Sequence, residues 1–270
     1  MTRELLVRIA LGISYSGSAY EGWQSQLSGN TVQDKLELAL AKFAVQPVRI
    51  MCAGRTDAGV HALMQVAHFD TSLERETASW VRGTNTFLPA DIAVQWAKRV
   101  PDEFHSRGSA VARRYAYVVL ESPVRPSVEA GRVGWVYRPL NIQLMQQAAM
   151  HLIGEHDFSS FRAAQCQARS PVKNINRIEI SQSAGTASKY WRFEFEANAF
   201  LHHMIRNIMG CLLAIGQGNF PPDWLAEVMA ARSRKAAAPT FSPHGLYFLG
   251  PMYEARYGLP TRTAAYDWLP

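Results

Sequence analysis

The chain of 270 residues has only three cysteines, Cys52, Cys166 and Cys211. They are odd in number, far apart and in no CxxC spacing, which argues against a disulfide framework or a thiolate zinc site. Long apolar runs are also missing. The opening segment MTRELLVRIALGISY carries Arg3, Glu4 and Arg8 in and around its apolar residues. It reads as neither a signal peptide nor a membrane span, so a reduced, cytoplasmic setting is expected. There is no P-loop, no G-x-G-x-x-G fingerprint, no G-x-S-x-G elbow and no HExxH pair. No paired acids suggest a glycosidase. Acidic residues are outnumbered: 22 Asp+Glu against 28 Lys+Arg leave a formal charge of +6. That excess suits a solvated surface or, where arginines lie beside aromatics, a nucleic-acid partner.

What the chain does have is apolar content for a sizeable core, 48% hydrophobic against 19% charged. One or two domains are expected. LLVRIALGISY reads as a strand. SGNTVQDKLELALAKFA reads as a helix, with Thr31 as N-cap and Asp34 three positions later. Val32, Leu36, Ala39, Leu40 and Phe43 fall on one helical face. VRIMCA and HALMQVAHFDT are strands, RETASWVRGTNTFLP is helical until Pro89, and DIAVQWAKRV is a strand. The order is β-α-β-β-α-β, as in ferredoxin-like and RNA-recognition-type units.

The second half repeats that order in outline. SAVARRYAYVVLE is a strand, and NIQLMQQAAMHLIGEHDFSSF a helix with Leu144, Met145, Ala148 and Leu152 inward. VKNINRIEISQSAGTASKYWRFEFEAN gives two strands around a Ser/Gly/Thr turn. AFLHHMIRNIMGCLLAIGQG and PPDWLAEVMAAR are helices, and GLYFLGPMYE the last strand. The expected fold class is α+β: two βαββαβ halves, residues 1–104 and 105–270, in one continuous antiparallel sheet with helices behind and a cleft at the centre.

Three stretches could carry chemistry. In AGRTDAGVHA, small residues surround Arg55, Thr56, Asp57 and His61. Asp57 could simply tie down an Asx-turn, or the small neighbours could clear room for a large ligand. In ARRYAYVVLE, Tyr115 and Tyr117 share one face and Arg114 points to the other. A tyrosine there could be core, or a stacking surface for a base. In FLHHMIRNIMG, Arg206 lies about 140° from the centre of the apolar stripe. It is either a solvated arginine or a cation facing a groove, with Asp57 as its obvious partner. A metal-dependent hydrolase on Asp57, His61 and His202 lacks ligand spacing. His202 and His203 diverge on a helix, and His61 and His68 point to opposite faces of a strand.

Together and in this order, the three stretches resemble the tRNA pseudouridine synthase A family. YSGSAYEGWQSQ, HDFSSFRAAQCQARSPVKNI and GLYFL add to the likeness, which runs from about Leu5 to Tyr253. PTFSPHG, with Phe241 and His244, departs from the short Ala/Pro run frequent in the family. The tail after Glu254 is not placed by the resemblance. The resemblance implies a homodimeric enzyme, without metal or cofactor, that converts uridine to pseudouridine in the anticodon stem-loop of tRNA. It implies Asp57 as the essential acid, Tyr115 and Leu246 at the base, and Arg206 as the partner of Asp57. Arg55 would hold the displaced nucleotide. Arg162, Arg169 and Lys173 are further RNA-contact candidates, each equally readable as solvated surface. A non-catalytic tRNA-binding module on the same fold remains the alternative.

Overall fold

A computed structural model describes residues 6–183 and 188–260. Part of the Ser/Gly/Thr turn and Leu5 lie outside the described residues. The fold is α+β, with five α-helices among the described residues. The chain divides into two compact units. One holds the described residues up to Val111 with those from Tyr247 onward; the other runs from Ala112 to Leu246.

The first unit follows the order read from its sequence: β1 (Val7–Tyr15), α1 (Val32–Ala44), β2 (Met51–Cys52), β3 (His61–Thr71), α2 (Thr77–Asn85) and β4 (Ile92–Val100). Strand β10 (Leu246–Tyr253) completes it, giving the order β4-β1-β3-β10 with β2 also on β3. Strand β2 is shorter than VRIMCA suggested. Thr31 caps α1 as expected: its Oγ1 accepts from Asp34 N at 3.2 Å and donates to Asp34 Oδ2 at 2.6 Å. Val32, Leu36, Ala39 and Leu40 are fully buried. The helix ends at Val45, a β-branched residue at φ 59° in the left-handed region that favours glycine.

Residues 255–260 are anchored to the first unit. Tyr257 is buried against Phe104, centroids 5.1 Å apart, in a cluster with Ala10, Ala53, Val66 and Val100.

The second unit departs further from expectation. Its elements are β5 (Ala110–Glu121), β6 (Gly134–Val136), α3 (Ile142–Met150), β7 (Gly154–Asp157), β8 (Val172–Gln182), β9 (Lys189–Ala197), α4 (Met204–Gly216) and α5 (Trp224–Ala230). The strand order is β5-β9-β8-β7, with β6 also on β5. The single long helix from NIQLM to SSF is not formed. It stops at Met150, Gly154 turns the chain at φ 100°, and GEHD pairs with β8 as a strand. Met145, Ala148 and Ala149 are the buried residues of α3, while Leu144 is only half-buried. β6 was not foreseen, because three residues carry no readable period.

The sheet is not antiparallel throughout. β10 runs parallel to β3, and β6 parallel to β5. Both return from segments long enough to reverse direction, which a parallel connection requires.

Candidate functional site

Within the first unit, the Asp57 segment is held by close backbone approaches. Trp23 N donates to Thr56 O at 3.0 Å, and Ala53 N to Val66 O at 2.8 Å. Gln65, fully buried, donates from Nε2 to Gly54 O. Tyr15 OH and Thr56 Oγ1 share a buried hydrogen bond of 2.8 Å. Asp57 opens a turn that Val60 N closes on Asp57 O at 3.1 Å. Gly59 supplies the positive φ, 79°, that a type II turn needs at its third residue.

Two further glycines explain YSGSAYEGW. A Cβ on Gly17 would strike the Val60 carbonyl, and one on Gly22 would sit 2.7 Å from Thr56 O. Both let the β1–α1 connection lie against the turn. On this support Thr56 is buried, Asp57 half-buried and Arg55 exposed. His61 is buried. Its Nδ1 accepts from Gly17 N at 3.1 Å, and its ring stacks on Tyr247 at 4.6 Å. That fixes its ring nitrogen on the fold.

Within the second unit, Tyr115 is 8% exposed and meets Phe200 edge-on at 5.1 Å. Tyr117 is wall: fully buried, with its hydroxyl donating to Ser242 O. Phe241, the residue of the unusual PTFSPHG run, packs against Tyr117 at 5.5 Å. Arg114 points to the other face, bridging Glu194 at 3.2 Å.

Helix α4 begins later than the sequence suggested. His203 is its N-cap in the left-handed region, φ 61°, so His202 and His203 form a turn rather than a helical step. Their rings approach to 4.1 Å instead of diverging. Arg206, in the first turn, is half-buried rather than fully solvated, and its Nε donates to Phe241 O at 2.9 Å. Phe241 N returns a bond to Arg206 O at 3.1 Å.

Asn207, fully buried, was not singled out by sequence reading. It donates to Phe161 O at 2.8 Å and accepts from Thr240 Oγ1 at 2.6 Å, tying the helix to both flanking loops. The signal available was a lone amide within an apolar helical run. Leu246 is buried after a close approach by Gly245, where a Cβ would lie 2.5 Å from Tyr117 Cε1. Val118 N donates to Gly245 O at 2.8 Å.

The three basic candidates differ. Arg162 clasps its own loop, donating from Nη2 to Cys166 O and Ala168 O, each at 2.8 Å. Lys173 donates to Ser170 O at 2.6 Å and Val172 O at 2.7 Å; partial burial lowers its pKa. Arg169 is exposed. At Cys166, burial raises the thiol pKa, but the N–H groups of Ala168 and His202 and the Arg162 guanidinium outweigh it and the net shift is downward.

The structure therefore presents one carboxylate on a buttressed turn in the first unit. The second holds a buried tyrosine on β5 and an arginine on α4 tethered to Phe241 O. The fold class is α+β. The chain belongs to the tRNA pseudouridine synthase family, whose model matches residues 12–107 and 148–254. It is 84% identical over 264 residues to a protein named tRNA pseudouridine synthase A from Polaromonas naphthalenivorans, covering 98% of this chain and all of that one. A protein of the same name from a Polaromonas species is 82% identical over the same share. One from an Acidovorax species is 69% identical over 274 residues, again across 98% of this chain and all of the other. No described helix is long and apolar enough to cross a membrane.

Proposed function

We propose that this protein isomerises uridine to pseudouridine in the anticodon stem-loop of tRNA, with Asp57 as the essential acid. The observation that carries the reading is the Asp57 turn. Gly17 and Gly22 let the β1–α1 connection pack against the turn, Thr56 is buried, and Asp57 is held half-buried on that support. Family membership supplies the reaction class.

In this reaction the N1–C1′ bond breaks, the uracil turns, and C5 bonds to C1′. The C5 proton leaves and N1 gains one, so no redox or electrophilic cofactor is required. The nucleotide leaves the stack first. Asp57 either attacks the sugar or takes a proton from it, and both routes need the carboxylate ionised. Arg206 is its charge partner, which favours that form. Tyr115 stacks on the base and assists proton removal, and Leu246 lines the pocket that retains the free uracil. Arg55, Arg162, Arg169 and Lys173 contact the RNA.

The working enzyme is a cytoplasmic homodimer. The unit that runs to Val111 and resumes at Tyr247, not residues 1–104 alone, carries the acid, and Ala112–Leu246, rather than all of 105–270, carries the tyrosine strand and arginine helix. These are two ferredoxin- or RRM-like halves of one sheet around a central cleft.

The test is release of tritium from tRNA labelled at uracil C5. Wild type releases it; Asp57→Asn does not, yet binds tRNA with affinity close to wild type. Full activity in Asp57→Asn sinks the assignment of the acid. A wild type that binds tRNA without release would be a binding module, not an enzyme.

A further inference from the structure

Strand β6 has two different faces. Inward, Gly134 lies so close to the site wall that a Cβ would sit 2.6 Å from Phe241 Cε1 and 2.8 Å from Tyr117 Cε1. Val136 is also buried. Outward stand Trp135, on the strand, and Tyr137, one residue beyond its end, 37% and 59% exposed. Their centroids are 6.3 Å apart at 50°. Trp135 is held in place by Nε1 donating to Ser122 O at 2.9 Å. The Arg138 guanidinium lies over Tyr137, 5.4 Å from its centroid.

The surrounding segment is basic. Arg125, Arg132 and Arg138 are exposed within it. Its acid, Glu129, accepts the Tyr190 hydroxyl at 2.9 Å. Rigid aromatic faces beside arginine suit nucleobases and phosphates.

We propose that this outer face is a second RNA contact. It takes an unpaired nucleotide of the tRNA, other than the one that reacts, by stacking on Trp135 and Tyr137 with Arg138 at its phosphate. The inference rests on the tRNA reading above. A second copy of this chain is the competing occupant. A two-fold dimer through this patch would bring two arginine-bearing surfaces together, a like-charge meeting that an RNA backbone avoids.

The experiment measures affinity of the full-length protein for an unmodified tRNA transcript, with tritium release as the second readout. Tyr137→Ala and Trp135→Ala/Tyr137→Ala are compared with wild type. Loss of one stacked base should weaken binding about tenfold, with turnover at saturating tRNA unchanged. Arg138→Ala should reduce the slope of log Kd against log salt by about one. Tyr137 and Arg138 lie on the surface, so these variants keep the test valid if Trp135→Ala misfolds. Unchanged affinity in Tyr137→Ala together with an unchanged salt slope in Arg138→Ala overturns the proposal. So does a fall from dimer to monomer without loss of affinity, which would assign the face to a second copy. A wild type with no tRNA binding and no release would instead refute the function itself.

Discussion

His68 should make this protein acid-sensitive well above the range where carboxylates titrate. The residue is 4% exposed on β3, and burial pushes its pKa down from 6.5 to about 4. The Arg8 guanidinium and His105 push the same way, while Asp70 and the Met51 carbonyl oppose them. The neutral ring is also satisfied where it lies: Ser106 N donates to His68 Nδ1 at 3.2 Å, and the Ser106 hydroxyl, 3.0 Å from the same nitrogen, donates to Met51 O at 2.6 Å.

Between pH 6.5 and 4 the unfolded chain therefore binds more protons at this site than the folded one. Stability falls as pH falls through that window. Taken at face value, a shift of that size costs about 2 kcal/mol at pH 5 relative to pH 7; residual hydration of the ring brings it to about 1–2 kcal/mol. The assay is urea unfolding at pH 7 and pH 5 for wild type and His68→Gln. Wild type should lose about 1–2 kcal/mol more than the variant over that interval. Carboxylate effects such as the Arg8–Asp70 bridge are common to both proteins and cancel. Equal losses, or an NMR titration placing the His68 pKa at 6 or higher, would refute the reasoning.

Three further outcomes are expected. Val45→Gly relieves an exposed β-branched residue at φ 59° and should stabilise the protein by about 1 kcal/mol in thermal unfolding. Asn207→Ala strands the Phe161 carbonyl, costing about 1–3 kcal/mol, and Asn207→Asp, which keeps only the acceptor for Thr240, should not recover it. Arg206→Ala should lower turnover about tenfold or more and move the acidic limb of the pH–rate profile upward; weakened tRNA binding with an unmoved limb would make Arg206 a phosphate contact.

Local signals carried far into this molecule. The Thr31–Asp34 cap and the apolar face of α1 are short-range patterns, so they read directly from neighbouring residues. GRTDAGVHA was legible too, because glycine and a small-residue run around an acid constrain the backbone wherever they occur. The Ser/Thr/Asn/Asp chemistry of caps works over one helical turn and needs no tertiary partner.

Other features depend on residues far apart in sequence. Gly17 and Gly22 look like ordinary turn glycines until Val60 and Thr56 are seen against them. The early end of α3 and the strand GEHD follow from pairing with β8, which outweighs the helical pattern of the segment. The left-handed His203 and the bond from Arg206 to Phe241 O need a loop 35 residues away. Sequence alone determined the α+β character and the order of elements in the first unit, because periodicity and backbone sterics are local. Tertiary structure decided the direction of β6 and β10, the late start of α4 and the supports behind Asp57 and Arg206. Those are set by which backbones can approach closely enough to share hydrogen bonds.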